Sequence, residues 1–177
     1  MQRCSWYNRR MLEKVKDVHP PRGLARLGLR TPIWLYRLGL GGLLGQRFLL
    51  LNHMGRKSGK VRQSVVEVVD RNTASGAFVV ASGFGDKADW YKNVMAHPNV
   101  TIQVGRQQIH VHAERLPPMP AAAALLEYNR RHPKAMQTLA RFMGYRIDGS
   151  EADVRKLASE IPVLVLTPLD SLREPSP

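Results

Sequence analysis

The sequence contains a single cysteine, Cys4, which excludes a disulfide framework within the chain. It has no run of about 18 uncharged apolar residues, the length that a membrane-spanning helix needs. Its first residues lack the apolar centre of a secretory signal. These absences favour a protein of the reducing cytoplasm that meets a membrane, if at all, only at its surface. With 177 residues, 44% of them hydrophobic, the chain suits one globular domain and is too short for two enzyme domains.

Acidic residues are scarce in the first third of the chain. Residues 1–62 contain 14 Lys or Arg but only Glu13 and Asp17 as acids, a net charge of +12 out of +13 for the whole chain. Such a concentration of positive charge is typical of a protein with an anionic partner. A nucleic acid, an acidic membrane surface and a polyanionic cofactor all fit, and so does a basic face that serves only solubility.

Residues 1–45 are predicted to form a basic and apolar N-terminal arm with a helix. Residues 1–18 show helical spacing, and Thr31 with Pro32 is a helix-start signal before an apolar stretch that carries Trp34 and Tyr36. Aromatic rings beside a basic segment favour peripheral contact with a membrane surface. The alternative is that the segment packs on its own domain or caps a pocket.

Residues 46–170 are predicted to form a small barrel. Six segments are rich in β-branched or apolar residues and end at turn residues: 48–51, 61–69, 77–81, 100–104, 108–116 and 162–167. Helices are predicted over 88–96, from 120 onward, from 133 to about 143, and over 151–160 after a capping Ser150. Because strands and helices do not alternate throughout, the pattern favours an α+β fold with a mainly antiparallel barrel and flanking helices. Residues 171–177 are predicted to be a loose tail.

The segment 55–62, GRKSGKVR, is the first candidate binding site. It contains the elements of phosphate recognition, namely glycines that let backbone N–H groups approach, a guanidinium, ammonium groups and a hydroxyl. Its residue order is not that of a Walker A loop. A solvated hairpin turn has the same composition, and the preceding His53 is either a ligand contact or a structural histidine.

The segment 81–93, ASGFGDKADWYKN, is the second candidate. A strand enters a glycine-rich loop and then a helix, whose first N–H groups offer a site for an anion or a polar ring. Each notable residue also has a structural interpretation. Asp89 is a candidate helix cap, Trp90 a core residue, and Asn93 a hydrogen-bond partner of neighbouring loop backbone.

These two segments, followed by the strand entry HPNV, closely resemble the deazaflavin-dependent nitroreductase family over roughly residues 45–168. The resemblance implies a split β-barrel of the FMN-binding type that binds coenzyme F420. It implies that the cofactor's phosphate and oligoglutamate tail contact Arg56, Lys57, Ser58 and Arg62. It further implies that backbone groups of Ser82, Gly83, Phe84 and Gly85 line the deazaflavin ring, and that Trp90, Tyr91 and Asn93 hold the helix and the ribityl region.

The activity implied by this resemblance is hydride transfer between reduced deazaflavin and an unsaturated or nitro-type small or lipophilic substrate. The alternatives are an F420 or lipid-like ligand carrier without turnover, and an FMN-dependent oxidoreductase on the same barrel. Tyr91 and Tyr145, and with them Tyr128, are candidate proton donors or packed aromatics. The resemblance also implies a homodimer.

Other partners are not expected. His110 and His112 share one face of a predicted strand, but no further ligand accompanies them at a suitable spacing, so no metal site is predicted. A specific nucleic-acid partner is not predicted either, because the basic arm comes without a stacking platform of aromatic residues.

Overall fold

A computed structural model describes residues 12–16, residue 36 and residues 47–172, with side chains up to residue 170. In this part of the chain the strands are β1 (Glu13–Lys14), β2 (Phe48–Met54), β3 (Val61–Arg71), β4 (Phe78–Ala81), β5 (Asn99–Val104), β6 (Gln107–Arg115), β7 (Tyr145–Arg146) and β8 (Val163–Pro168). The helices are α1 (Asp89–Ala96), α2 (Pro118–Arg131), α3 (Pro133–Phe142) and α4 (Glu151–Glu160), with 3₁₀ turns at Gly85–Lys87 and Leu169–Leu172.

Six strands close into an antiparallel barrel in the order β2-β3-β4-β8-β6-β5, with β5 pairing back to β2. Side chains alternate across each strand, so that Leu49 and Leu51 of β2 point inward while Leu50 points outward. The interior cluster also contains Tyr91 and Val94 of α1, which therefore packs against the barrel core. The predicted α+β split barrel is confirmed.

The other three helices form a layer outside the barrel. They pack on outward-facing residues of the barrel strands, such as Val69, Val79 and Val163, and build a second apolar cluster there. Ser150 caps α4 as predicted, since its Oγ accepts the N–H of Asp153 at 3.3 Å.

Strand β2 runs further than the sequence pattern predicts. β2 continues through Asn52 and His53 to Met54, because both polar side chains have hydrogen-bond partners on β3. Asn52 Oδ1 accepts from Gln63 Nε2 at 2.8 Å on the outer face, and His53 contacts Ser64 on the inner face. The hairpin between β2 and β3 is therefore tighter than expected.

Glu13 and Lys14 of the N-terminal arm are extended, so the helical spacing predicted for residues 1–18 is wrong at these positions. These residues form β1 and pair with β7, and the preceding Leu12 is buried in the outer cluster. The Leu12 N–H donates to Asp153 Oδ1 at 2.7 Å. Both β1 and β7 were missed, because a two-residue strand has no detectable periodicity.

Tyr36 is helical and packs on the outer face of the barrel. Its side chain is only 3% exposed, it contacts Leu50, and its hydroxyl donates to the Phe48 carbonyl at 2.7 Å. The sequence predicted either contact with a membrane surface or packing on the chain's own domain. At Tyr36, packing on the chain's own domain is correct. Thr31, Trp34 and residues 1–11 and 173–177 lie outside the described residues. Within those described, no helix is both long and apolar enough to cross a membrane.

Candidate functional site

The turn between β2 and β3, residues 55–62, is here called the basic turn. The Gly55 N–H donates to the Lys60 carbonyl at 2.9 Å, while the Gly55 carbonyl accepts the N–H groups of Ser58 and Gly59 at 3.0 and 2.8 Å. Gly59 has φ of +61°, and a Cβ on Gly55 would lie 2.7 Å from Ser58 Oγ. Both glycines are therefore required by the shape of the turn.

Three of the four cations in the basic turn have no ion-pair partner among the described residues. Lys57, Lys60 and Arg62 are exposed, and no acidic side chain among the described residues forms an ion pair with them. Since like charges within one short turn repel each other, this arrangement favours binding of an anion.

Arg56, the fourth cation, is held by α1. Its backbone N–H and its Nη1 both donate to Asn93 Oδ1, at 3.1 and 2.9 Å, and its guanidinium pairs with Asp89 Oδ1 at 3.3 Å. Asp89 does not cap α1, whose N-cap is Ala88 without a side-chain hydrogen bond. Asn93 does bond loop backbone, as its structural interpretation predicted.

His53 continues this network into the barrel. Its ring is 5% exposed, with Nδ1 3.2 Å from Asn93 Nδ2 and Nε2 3.2 Å from Ser64 Oγ. Burial and, to a smaller extent, the positive charge of Arg62, its register partner on β3, lower the pKa of His53 to about 4, while Asp89 acts in the opposite direction. His53 is therefore neutral at physiological pH.

The segment 82–85, here called the second turn, is shaped by short contacts of its own. The buried Ser82 hydroxyl donates to the Gly85 carbonyl at 2.8 Å, and the Gly85 N–H donates back to the Ser82 carbonyl at 2.9 Å. Phe84 meets Phe142 of α3 edge to face at 5.2 Å between ring centroids. A Cβ on Gly83 would lie 3.3 Å from the Phe142 ring, so the backbone approaches that ring closely.

Helix α1 follows the second turn and contacts the basic turn, and it therefore brings the two candidate segments together. Trp90 is half-buried and Tyr91 buried, with their rings edge to face at 6.3 Å. The Tyr91 hydroxyl accepts from Arg115 Nη1 at 3.3 Å, and Arg115 also pairs with Asp86 at 3.5 Å. All the predicted cofactor-binding residues lie on these two turns, on α1, or at the start of β3.

The other two candidate proton donors, Tyr128 and Tyr145, lie in the outer apolar cluster. Tyr145 is buried on β7 in the outer cluster. The Tyr128 hydroxyl donates to Glu67 Oε1 at 2.6 Å, and burial together with this bond raises the pKa of Tyr128 to about 12. Of the three candidate proton donors, Tyr91 is thus the one that lies on α1, the helix that adjoins the basic turn and the second turn.

His110 and His112 are each engaged by the neighbouring strand. His110 Nδ1 lies 3.1 Å from Thr101 Oγ1, and His112 Nδ1 lies 2.8 Å from Asn99 Oδ1. In the part of the chain that the structure covers, no group of three or more His, Cys, Asp or Glu side chains is arranged to hold a metal ion.

By its fold the protein is a split barrel, in which the basic turn and the glycine-rich second turn both adjoin helix α1. The exposed cations of the basic turn, which have no ion-pair partner among the described residues, suit an anionic ligand.

Comparison with known proteins agrees with this class. A family model described as F420H(2)-dependent quinone reductase matches residues 29–168, and the chain belongs to this family. Its cofactor is coenzyme F420, and the protein is a deazaflavin-dependent reductase. The prediction of an F420-dependent split-barrel enzyme is thereby confirmed.

A relative from Mycobacterium tuberculosis (strain ATCC 25618 / H37Rv) carries the provisional name F420H(2)-dependent quinone reductase Rv3178. It is 31% identical over 135 residues, which cover 75% of this chain and 98% of the relative. A solved structure of an F420-H2 dependent reductase, FDR-A, is 24% identical with a TM-score of 0.45 and covers 69% of this chain and 95% of that one. Atu2129 from Agrobacterium tumefaciens str. C58, of unknown function, is similar in fold, with a TM-score of 0.50, 15% identity, and coverage of 90% of this chain and 66% of that one.

Proposed function

We propose that the protein passes a hydride from reduced F420 to a quinone. When bound, the reduced deazaflavin supplies the hydride from its C5 position, and the quinone takes it up with one proton to become a hydroquinone. The description of the matching family supports the choice of acceptor. A quinone is also an activated unsaturated compound of the kind that the sequence resemblance implies.

The basic turn is proposed to hold the anionic part of the cofactor. The observation that carries this assignment is the presence of three exposed cations, Lys57, Lys60 and Arg62, that have no ion-pair partner in the described part of the chain. They lie on a turn whose backbone is already closed by its own hydrogen bonds. The exposed Ser58 hydroxyl adds a donor beside them. Charge-assisted hydrogen bonds from such groups to phosphate and carboxylate are about twice as strong as neutral ones.

The second turn and α1 are proposed to border the deazaflavin ring. Gly85 has no side chain to keep a flat ring away from the backbone, and no atom lies within 4 Å of the position that its Cβ would take. Phe84 and the half-buried Trp90 supply apolar surface nearby. Such a surface excludes water from the hydride path. Tyr91, on the same helix, is the better-placed proton donor to the quinone oxygen, and Tyr145 is the second candidate.

The first experiment is a fluorescence titration of the full chain with oxidised F420. We expect Lys57→Ala to weaken F420 binding about tenfold, while Lys156→Ala, a matched loss of one exposed lysine on α4, leaves it unchanged. Equal weakening by both variants, or tighter binding of FMN than of F420, would contradict the assignment of the basic turn.

The acceptor is tested separately with reduced F420 and a water-soluble quinone. Loss of the absorbance of reduced F420, at a rate that depends on quinone concentration, is the expected result. A protein that binds F420 tightly and reduces a nitroaromatic compound but no quinone would overturn the choice of acceptor and leave the cofactor assignment intact.

Contact with an anionic membrane surface through residues 1–45 is also proposed, supported by the positive charge of this segment and by the lipophilic nature of many quinones. The test keeps the full chain, because Leu12 and Tyr36 are part of the packed structure. Replacing Arg3, Arg9 and Arg10 with Gln is expected to reduce co-sedimentation with phosphatidylserine vesicles. Equal sedimentation of the variant and the parent protein would refute the proposal.

A homodimer is proposed on the resemblance to split-barrel enzymes. Sedimentation equilibrium of the full chain is expected to return twice the 20.0 kDa chain mass. A monomer mass at concentrations well above those of the activity assay would refute it.

A further inference from the structure

Asn93 faces the protein with both ends of its side-chain amide. Its Oδ1 accepts the backbone N–H and Nη1 of Arg56, and its Nδ2 lies 3.2 Å from Nδ1 of His53. The residue is 5% exposed. The Asn93 amide therefore makes three interactions within the protein. The sequence resemblance, in contrast, implies that Asn93 contacts the cofactor.

The direction of every hydrogen bond in this network is determined by Arg56. Both of its nitrogen groups are donors only, so the oxygen of the Asn93 amide must face them and its NH₂ group must face His53. The His53 Nδ1 must then be an acceptor without a proton. Its proton is on Nε2, from which it donates to Ser64 Oγ at 3.2 Å.

The network connects three elements at the point where the basic turn begins. Ser64 is on β3, His53 on β2 and Asn93 on α1, and the group they hold is the backbone N–H of Arg56 directly after Gly55. A second clamp on the same residue is the ion pair from its guanidinium to Asp89. The turn is consequently held in one shape before any ligand arrives, which lowers the entropic cost of binding.

We propose that His53 and Asn93 are positioning residues for the cofactor, which hold Arg56 and so keep the basic turn in the shape that binds the anionic tail of F420. This inference rests on the proposed role of the basic turn. Neither residue touches the cofactor in this assignment. Their effect on F420 is indirect and passes through the backbone of Arg56.

The His53 side chain can be replaced one nitrogen at a time. The amide of an Asn side chain places an acceptor near the position of Nδ1, and that of a Gln side chain reaches the position of Nε2. His53→Asn therefore keeps the partner of Asn93, whereas His53→Gln keeps only the partner of Ser64. We expect His53→Asn to bind F420 within about threefold of the parent protein, and His53→Gln and Asn93→Ala to bind it about tenfold more weakly.

The matched control is Asn52→Ala. It removes a hydrogen bond between the same two strands on the opposite face of the sheet, since Asn52 Oδ1 accepts from Gln63 Nε2 at 2.8 Å. F420 affinity is expected to be unchanged in this variant. If Asn52→Ala weakens binding as much as Asn93→Ala does, general loosening of the hairpin explains the effect and the proposal is wrong.

A second readout needs no cofactor. Amide hydrogen exchange of peptides that cover residues 55–60 is expected to be about tenfold faster in His53→Gln and Asn93→Ala than in the parent protein, with β8 unchanged. Faster exchange throughout the barrel would show a loss of global stability instead, and unchanged exchange at residues 55–60 would overturn the inference.

The titrations separate this inference from the proposed function. If the parent protein fails to bind F420 through the basic turn, Lys57→Ala has no effect and the proposed role of the turn fails. If Lys57→Ala weakens binding while His53→Gln and Asn93→Ala do not, the role of the turn stands and the positioning assignment fails.

Discussion

The basic turn and the second turn both adjoin α1 and are stabilised by different means. The basic turn is tied to its surroundings by polar side chains, through Arg56, Asn93 and His53. The second turn is held by the Ser82 hydroxyl within its own backbone and by the contact between Phe84 and Phe142. The basic turn thus depends on an ion pair and hydrogen bonds to other elements, whereas the second turn depends on hydrogen bonds within itself and on aromatic packing.

This difference matches the two kinds of surface that the cofactor offers. An anionic tail is recognised by cations at a defined position, which requires a rigid polar support. A flat ring is recognised by close backbone approach and apolar contact, for which glycines and aromatic rings suffice. Perturbations that act on charge should therefore affect the basic turn alone, and perturbations of packing should affect the second turn alone.

Acid is expected to break the support of the basic turn. The pKa of His53 is 6.5 in the unfolded chain and about 4 in the folded protein. Above pH 6.5 both states are neutral at this residue and its contribution to stability is complete. As the pH falls from 6.5 to 4 the unfolded chain takes up a proton that the folded protein does not, and the free energy of unfolding falls by about 3 kcal/mol in total.

Urea unfolding of the parent protein and of His53→Asn between pH 7 and pH 4 measures this loss. The quantity compared is the difference between their free energies of unfolding at each pH. The comparison isolates His53 from the carboxylates, which titrate in both proteins. Parallel stability curves across this pH range would contradict the burial of a neutral His53 between Arg62 and Asp89.

Removing the cations of the basic turn that have no ion-pair partner among the described residues should have the next largest effect. It should weaken F420 binding and leave the stability of the protein unchanged. The triple replacement Lys57→Gln, Lys60→Gln and Arg62→Gln is expected to weaken F420 binding roughly a hundredfold, since each cation contributes about 1 kcal/mol. The free energy of unfolding should stay within about 0.5 kcal/mol of that of the parent protein, because these side chains are exposed and unpaired among the described residues. A loss of affinity below about threefold would be incompatible with a charge-based site.

Ser82→Ala tests the second turn. The hydroxyl is fully buried, and its loss leaves the Gly85 carbonyl without that partner, so we expect the free energy of unfolding to fall by about 1 to 2 kcal/mol. Ser58→Ala is the matched change in the basic turn. Since the Ser58 hydroxyl is exposed and has only a 3.4 Å contact with the Lys60 N–H, its loss should change stability by less than about 0.5 kcal/mol. Equal losses in thermal or urea unfolding would contradict the contrast between the two turns.

Phe142→Ala is expected to have the smallest effect, about 1 kcal/mol of stability. The ring is partly exposed, so mainly its edge-to-face contact with Phe84 is lost. Phe142→Leu keeps apolar contact and should recover about half of the loss. Urea unfolding of the two variants decides this, and identical stabilities for Phe142→Ala and the parent protein would show that the aromatic pair does not support the second turn.

Much of the fold is predictable from local pattern. The six barrel strands and α1 to α4 are long enough for their apolar periodicity and turn residues to be read from the chain. The strands β1 and β7 were missed because each has only two residues. Their pairing depends on contacts between residues more than 130 positions apart, such as Glu13 with Arg146.

The sequence by itself determined the location of positive charge, the two turn motifs and, through them, the family and its cofactor. These are properties of residues adjacent in the chain. Only the tertiary structure decided which cations are available, because Arg56 is paired with Asp89 across 33 positions while Lys57 is not. The same holds for His53, whose neutral, buried state arises from Asn93, Ser64 and Arg62, and burial and hydrogen bonding between distant residues leave no local pattern in a sequence.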